Sequence, residues 1–517
     1  CLYSFRLEAR LMRPVSLLLA LLRLPSIAWH LGRAGVLGHL AAVTLLPAWL
    51  RQLCHILDKI IRSGSATADA GGALANALMR LGPGFIKFGQ ALSTRADLIG
   101  PDMGRALAQL QDRLPPFPAV VARQLVASQS GKQLEDSFAS FEDEAVAAAS
   151  IAQVHRATLC DGRKVAVKLL RPGIERRMRA DTDLFDSLAH ILEWLAPGLR
   201  RLKLVEAVAQ FREISDTELD FRLEAAAGGR LKDNLADDTG IYVPWIDLEH
   251  STSRMLIIEW IDGIRIDDVT GLHAAGHDVT KVTEIAASSF FNQVFRDGYF
   301  HADMHPGNIF IRDDGVLVPI DFGIMGYLEF SERLFLARLL SAMLERDYDE
   351  VAQLHKNAGM LKDSISIHQF SQAIRAVADP VMGKALGDVS LATVLGQILQ
   401  ISTRFEIEIQ PEFNLLQKTM MMAEGVARQL SPQADMWQLA KPLAQDWMAQ
   451  EANLCKQAGQ TVKTILALSA RLPAIFDVLE QIQPSPSRPT PRPSRWPLGL
   501  AILALGLAIQ SFFMHFH

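Results

Sequence analysis

Cysteine is scarce here and follows no pattern. Cys1, Cys54, Cys160 and Cys455 are the only four in 517 residues, and no two form a CxxC pair. That argues against a disulfide framework or a zinc site and favours a reducing, cytosolic setting. A surplus of positive charge is also missing. The 52 Lys and Arg stand against 57 Asp and Glu, giving a net charge of −5 with both signs mixed along the chain. A nucleic-acid partner would need a basic face, so that class is set aside. No signal-peptide pattern opens the chain. The first apolar run, Val15–Leu22, is flanked by Arg13 and cut by Arg23, too short to span a bilayer. Because residue 1 is Cys1 rather than methionine, the natural start is expected to lie upstream.

The composition is 49% hydrophobic and 21% charged, slightly apolar for a soluble enzyme and polar for a polytopic membrane protein. The length suits two to four domains, or one large domain with additions. Charge disappears in one place, WPLGLAILALGLAIQSFFMHF (496–516). At ~1.5 Å per residue this run spans roughly 30 Å, the thickness of a hydrocarbon core, so a transmembrane helix is expected. The Pro/Ser-rich linker QIQPSPSRPTPRPSR (481–495) precedes it and carries Arg488, Arg492 and Arg495. By the positive-inside rule these arginines keep the large domain in the cytoplasm.

Residues 1–80 read as helical, and 81–135 as a helical extension broken near LPPFP (114–118). From 136 to 265 the texture turns β-rich. VHRATL and KVAVKLL flank Cys160–Asp161–Gly162, whose Asp-Gly pair signals a hairpin. Residues 266–430 hold a helix near 280–298 and a second hairpin in NIFIRDDGVLVPIDFG (308–323). Residues 431–480 again read as helices, and no internal repeat is visible.

The chemistry concentrates in FHADMHPGNIF (300–310) and PIDFG (319–323). Phosphoryl transfer asks a protein for a carboxylate near the attacking oxygen and for oxygen ligands holding metal on the phosphates. Asp303 and Asn308 have the D-x-x-x-x-N spacing of a kinase catalytic loop, and Asp321 stands in the DFG position. The hairpin between them should bring Asn308 and Asp321 together to hold Mg²⁺, with Asp303 as base or water-positioning group. Either motif alone would be equally well explained by turn hydrogen bonds and a helix cap. Upstream, KVAVK (164–168) matches the third-strand lysine motif, so Lys168 should reach the phosphates of ATP. Its orienting carboxylate is sought in ELDFRLEAA (218–226), taken as one helix. There Asp220 and Glu224 would share a face, and Glu224 is the chosen partner. The expected fold is α+β, a two-lobed protein-kinase-like domain with helical extensions at both ends and a C-terminal transmembrane helix.

Two features depart from an ordinary protein kinase. Where a phosphate-covering loop should be glycine-rich, the chain reads Val146, Ala147, Ala148, Ala149, Ser150, Ile151, Ala152, Gln153 and Val154. Alanine disfavours positive φ, so this nucleotide-binding segment cannot drape over phosphates as glycines do. In isolation the alanine run reads as helix. After Gly323 the chain soon enters another helical pattern, with no A-P-E, so the usual platform for a peptide substrate is missing.

Far upstream lies FIKFGQ (85–90). As a helix it turns Phe85, Phe88 and Leu92 toward packing, with Lys87, Gln90 and Thr94 along another stripe. Gly89 would let another element approach closely. Taken alone, Lys87 reads as a surface residue.

Together these segments resemble the UbiB family of atypical kinase-like proteins, also called the ADCK family, over roughly 70–430. The matching stretches are KFGQ (87–90) with STRADL after it, AAAS (147–150) before IAQVH, VAVK (165–168), ELDF (218–221), HADMHPGN (301–308) and IDFG (320–323). The resemblance implies a membrane-associated ATPase supporting ubiquinone biosynthesis, with polyprenyl-phenol intermediates, their enzymes and membrane lipid as partners. An older family name, 2-polyprenylphenol 6-hydroxylase component, does not suit a chain without a flavin or haem motif. The resemblance also implies that the Lys87–Gln90 helix folds over the active site as a regulatory lid, with Glu218 as partner of Lys87. Asp220 belongs to the same E-x-D motif. Bacterial members often carry two C-terminal hydrophobic segments, where one is counted here. Two other readings stand beside this one. A small-molecule kinase would share HxDxxHPGN and IDFG but lack K-x-G-Q, and a scaffold binding nucleotide or isoprenoid lipid would need no turnover.

Overall fold

The Asp161–Gly162 turn closes the first hairpin. Gly162 takes φ 91°, the Asp161 carboxylate accepts from Arg163 N–H, and Leu159 N–H donates to Arg163 O at 2.9 Å. In this computed structural model the described residues are 14–41, 47–61, 70–93, 101–108, 110, 114–196, 198, 200, 203–362, 364–382, 390–405, 407, 411–432 and 436–451. The chain divides into two units, Cys1–Met448 and Ala449–His517, and the architecture below belongs to the first. The linker 481–495 and the expected span 496–516 lie outside the described residues. Among the described residues no helix is long and apolar enough to cross a membrane.

Among the described residues six helices come first: α1 Pro14–Arg33, α2 Val36–Ala41, α3 Ala48–Ile61, α4 Ala70–Leu81, α5 Pro83–Ser93 and α6 Pro101–Ala108. Helix α7 (Ala119–Ser130) leads into β1 Phe138–Phe141, β2 Ala147–Ala148, β3 Ala152–Leu159 and β4 Lys164–Leu170. Then follow α8 Ile174–Leu195, α9 Leu204–Glu218, α10 Phe221–Asn234, β5 Met255–Glu259 and β6 Ile264–Arg265. Next are α11 Val279–Asn292, β7 Tyr299–His301, β8 Ile309–Ile311, β9 Leu317–Pro319 and β10 Met325–Tyr327. Helices α12 Phe330–Leu344, α13 Tyr348–Asn357, α14 Ile367–Met382, α15 Leu391–Arg404 and α16 Pro411–Leu430 follow.

An antiparallel sheet of order β1-β3-β4-β5, with β2 also on β3, forms one lobe. Strand alternation divides its faces. Val165, Val167 and Leu169 of β4 are fully buried in a core shared with Ala122 and Val126 of α7. Lys168 takes the other face, in register with Val154 and Leu256. The second lobe packs α11 to α16 around Phe290, Phe291, Phe300, Phe322 and Phe370, with the β6-β8-β9 and β7-β10 ladders at its edge.

Two local expectations fail. The alanine run is not helical: Ala147 pairs with Val154 and Ala148 with Gln153, so it forms an edge strand and hairpin. Alanine's helix preference is small, and the bonds Val146 N–H to Val154 O and Ala149 N–H to Ala152 O, both 2.8 Å, override it. ELDFRLEAA is not one helix either. Helix α9 ends at Glu218, and Asp220 caps α10 by accepting from Arg222 N–H, while Phe221 is buried. Asp220 therefore stands outside the helix and shares no face with Glu224.

Buried histidines make stability pH-dependent, two of them in the packed interior and His301 at the site described below. His155 has Nδ1 2.8 Å from Glu142 O, and its Nε2 accepts from Gln153. His355 lies between Phe335 and Phe370 with Nδ1 2.8 Å from Val351 O. Burial lowers the pKa of both. The unfolded chain then binds more protons below the ordinary value of about 6.5, so their contribution is complete above it and is lost as pH falls. Tm should be lower at about pH 5.5 than at about pH 7.5, and His355→Gln should flatten that slope. A Tm independent of pH across this window would contradict the assignment.

Candidate active site

Lys168 is the centre of the site. Its Nζ lies 2.8 and 3.0 Å from the two carboxylate oxygens of Glu224, and 3.4 Å from Asp321 Oδ1. Three elements distant in sequence meet there: β4, α10 and the stretch after β9. Gly228, one turn after Glu224, makes this possible, because a Cβ there would come within 2.6 Å of Ile246 and 2.8 Å of the Phe322 ring. The helix carrying Glu224 thus sits directly on the residue following Asp321.

The electrostatics are those of one cation between two carboxylates. Burial alone would pull the Lys168 ammonium down, but Asp321 and Glu224 raise its pKa. Burial pushes Glu224 up, against the pull of Lys168. Asp321 is held well below the usual carboxylate range: burial opposes this, and the Lys168 charge together with hydrogen bonds from Glu224 and Gly323 N–H outweighs it. The Asp321 side chain is 40% exposed and that of Glu224 only 7%, so Asp321 is the carboxylate open to an incoming ion.

Asn308 stands opposite Ile320 across the second hairpin, one residue before Asp321. Ile309 pairs with Pro319, and Ile320 N–H donates to Asn308 O at 3.0 Å. Among the described residues no group of three or more His, Cys, Asp or Glu side chains could hold a metal. Two hard oxygen donors, an amide and a carboxylate, nevertheless suit Mg²⁺, which keeps waters and substrate phosphates as its other ligands. The residues present therefore fit that ion.

His301, quoted in the motif without a role, joins both halves. Its Nδ1 accepts from Asp303 N–H at 3.2 Å, so its Nε2 carries the proton and donates to Asp321 O. Burial lowers its pKa and keeps the ring neutral, as those two bonds require. Gln293 Oε1 accepts from His301 N–H at 2.9 Å. His305 caps the 3₁₀ turn Pro306–Asn308 by accepting from Gly307 N–H. After Gly323 the strand β10 pairs with β7, and α12 begins at once behind a Glu329/Glu332 capping box. This matches the short segment expected from the sequence.

The alanine segment lies across β3 from this cluster. By register Ala147, Val154 and Lys168 share one face, while Ala148 and Gln153 take the other. Gln153 is buried and spends its side chain on Phe117 N–H, Phe117 O and His155, so it faces away from Lys168. Ser150, Ile151 and Ala152 are buried, and Arg171 Nε holds Ala149 O at 2.9 Å. Among the described non-glycine residues only Lys203 and Arg346 have positive φ, so the alanines keep ordinary conformations.

Helix α5 is wedged into the molecule. Phe88 stacks on Phe185 at 4.3 Å and meets Phe211 edge-on at 5.3 Å. A Cβ on Gly89 would come within 2.5 Å of Leu110 and 2.6 Å of Leu78, the close approach expected of it. Lys87 pairs with Glu218 at 2.9 Å, and both side chains are largely buried. Gln90 instead donates to Leu110 O at 3.3 Å, and Thr94 is outside the described residues.

Two further residues had no local sequence signal. Lys418 of α16 places Nζ 4.0 Å from Asp303 Oδ1, and Thr419 has its hydroxyl 2.9 Å from Ala302 O. A cavity of about 50 Å³, lined by Phe291, Leu340, Leu416 and Trp437 among others, is apolar and shares no residue with the charged cluster.

Residues 109–355 match the ABC1 atypical kinase-like domain, and residues 374–435 match the UbiB helical domain. A Marinobacter nauticus protein named "Probable protein kinase UbiB" is 42% identical over 80% of this chain and 77% of its own length. One of the same name from Pseudomonas aeruginosa is 39% identical over 87% of this chain and 85% of its own. The solved complex of Rv3197 with erythromycin from Mycobacterium tuberculosis is 26% identical, with TM-score 0.47, covering 69% of this chain and 90% of that one.

Proposed function

Because the chain belongs to the UbiB family of atypical kinase-like proteins, we propose that it is a Mg²⁺-dependent ATPase supporting ubiquinone biosynthesis at the bacterial inner membrane. The observation that carries the catalytic part is the Lys168–Glu224–Asp321 cluster, joined through His301 to the loop bearing Asp303. Lys168 binds the nucleotide phosphates, with Glu224 fixing its ammonium. Asn308 and Asp321 hold Mg²⁺, whose chemistry when bound is to neutralise phosphate charge. Asp303 orients the attacking oxygen and takes its proton. The closely following β10 and α12 leave little room for a peptide platform, which supports water or a small acceptor over a protein substrate. The Lys87–Glu218 pair supports a restraining role for α5.

The membrane part rests on the uncharged run 496–516 and its arginine-flanked linker. On this reading the domain faces the cytoplasm. Its partners are membrane lipid, polyprenyl-phenol intermediates and the enzymes that process them.

Mg·ATP should raise the Tm of the purified protein, and a chelator should remove the shift together with ATP hydrolysis. Quinone profiles of a deletion strain should recover with the wild-type chain and not with Asp303→Asn. Full recovery with Asp303→Asn would instead support a non-enzymatic scaffold.

A further inference from the structure

Phosphoryl transfer spreads negative charge over the three equatorial oxygens of the moving group, and enzymes meet it with fixed cations. Several basic groups are already committed. Lys168 lies between Glu224 and Asp321, Lys87 is held by Glu218, and the His305 ring caps its own turn. Lys418 is differently placed. Its Nζ is 4.0 Å from Asp303 Oδ1, near enough for attraction but too far for a hydrogen bond, so that contact uses none of its three protons.

This placement is built into the fold. Leu416, Thr419 and Met420 share a helical face and are buried, which fixes the register of α16. The Thr419 hydroxyl reaches Ala302 O, the carbonyl just before Asp303. Lys418 is left at the rim, 38% exposed beside an Asp303 side chain that is 34% exposed, so both are open to solvent. Helix α16 lies within the segment 374–435, separate in sequence from the kinase-like domain at 109–355.

We propose that Lys418 is a catalytic residue that binds the γ-phosphoryl group, so that the helical domain completes the active site of the kinase-like domain. This rests on the nucleotide reading above. In the reaction the oxygen of water or an alcohol attacks the γ-phosphorus and its proton passes to the Asp303 carboxylate. The new P–O bond forms as the bond from the γ-phosphorus to the β,γ-bridging oxygen breaks, and that electron pair leaves with ADP. The Lys418 ammonium pairs with the equatorial oxygens throughout and exchanges no proton.

The test uses the full chain with Lys418→Met and Lys418→Arg, titrated calorimetrically with Mg·ADP and with Mg·AMP-PNP. Lys418→Met should leave Mg·ADP affinity unchanged within about twofold and weaken Mg·AMP-PNP about tenfold. It should lower kcat for ATP hydrolysis by about 10²-fold, and Lys418→Arg should recover most of both losses. If Lys418→Met keeps the wild-type preference between the two nucleotides, the assignment is wrong while the ATPase reading stands. If the wild type binds neither nucleotide, the ATPase reading fails and this inference fails with it.

Discussion

Asp321→Asn should abolish Mg²⁺-dependent ATP turnover, lowering kcat by on the order of 10³-fold. The substitution keeps size and shape and removes one charge. The backbone at this position is fixed independently, because its carbonyl accepts from His301 and the next strand pairing follows at β10. Lys168 retains Glu224 at 2.8 Å, so the ammonium stays in place. What is lost is the carboxylate exposed to an incoming ion and held ionised by Lys168. Tm without ligand should change little, and the Mg·ATP-dependent rise in Tm should disappear. A variant that hydrolyses ATP like the wild type would remove Asp321 from the metal site.

Lys87→Glu should give the second large effect, a loss of about 3–5 kcal/mol in stability. Lys87 and Glu218 leave only 17% and 13% of their side chains exposed, so the change sets two carboxylates against each other in a largely buried place. The stacked Phe88, Phe185 and Phe211 beside them hold α5 against α8 and α9 and prevent easy relief by retreat. The exchange Lys87→Glu with Glu218→Lys should recover at least half the loss in a denaturant titration. Simple additivity of the two single losses would show that the pair is not coupled.

The sequence made some of this legible for local reasons. Asp161–Gly162 and the 308–323 hairpin announce themselves through turn residues between β-prone runs. The 308–323 hairpin puts Asn308 at one end and Ile320, just before Asp321, opposite it at the other. Lys168 and Glu224 were matched through a strand motif and the need for an orienting carboxylate. The pairing of Lys87 with Glu218 came from family resemblance, since spacing alone made Lys87 a surface residue. The failures have physical causes. Alanine is the best helix former, but the advantage per residue is so small that backbone bonds to Val154 and Ala152 turn 147–149 into an edge strand and hairpin. Asp220 offered a side-chain cap as good as another helical turn, and the helix broke there. Lys418 reaches Asp303 only after α16 has packed, and no local pattern encodes that.

The break at Leu219–Asp220 has a consequence for how this chain can vary. Glu218 closes one helix and answers to α5, and Glu224, in the first turn of the next, answers to β4. Only Leu219 and Asp220 separate the two helices. An inserted residue after Phe221 would advance the phase of α10 by about 100° and turn Glu224 off Lys168. A deletion there would do the same in the opposite sense. Substitutions at exposed positions such as Leu223 leave that phase intact. Between these two carboxylates the exposed positions can change their letters far more freely than the segment can change its length.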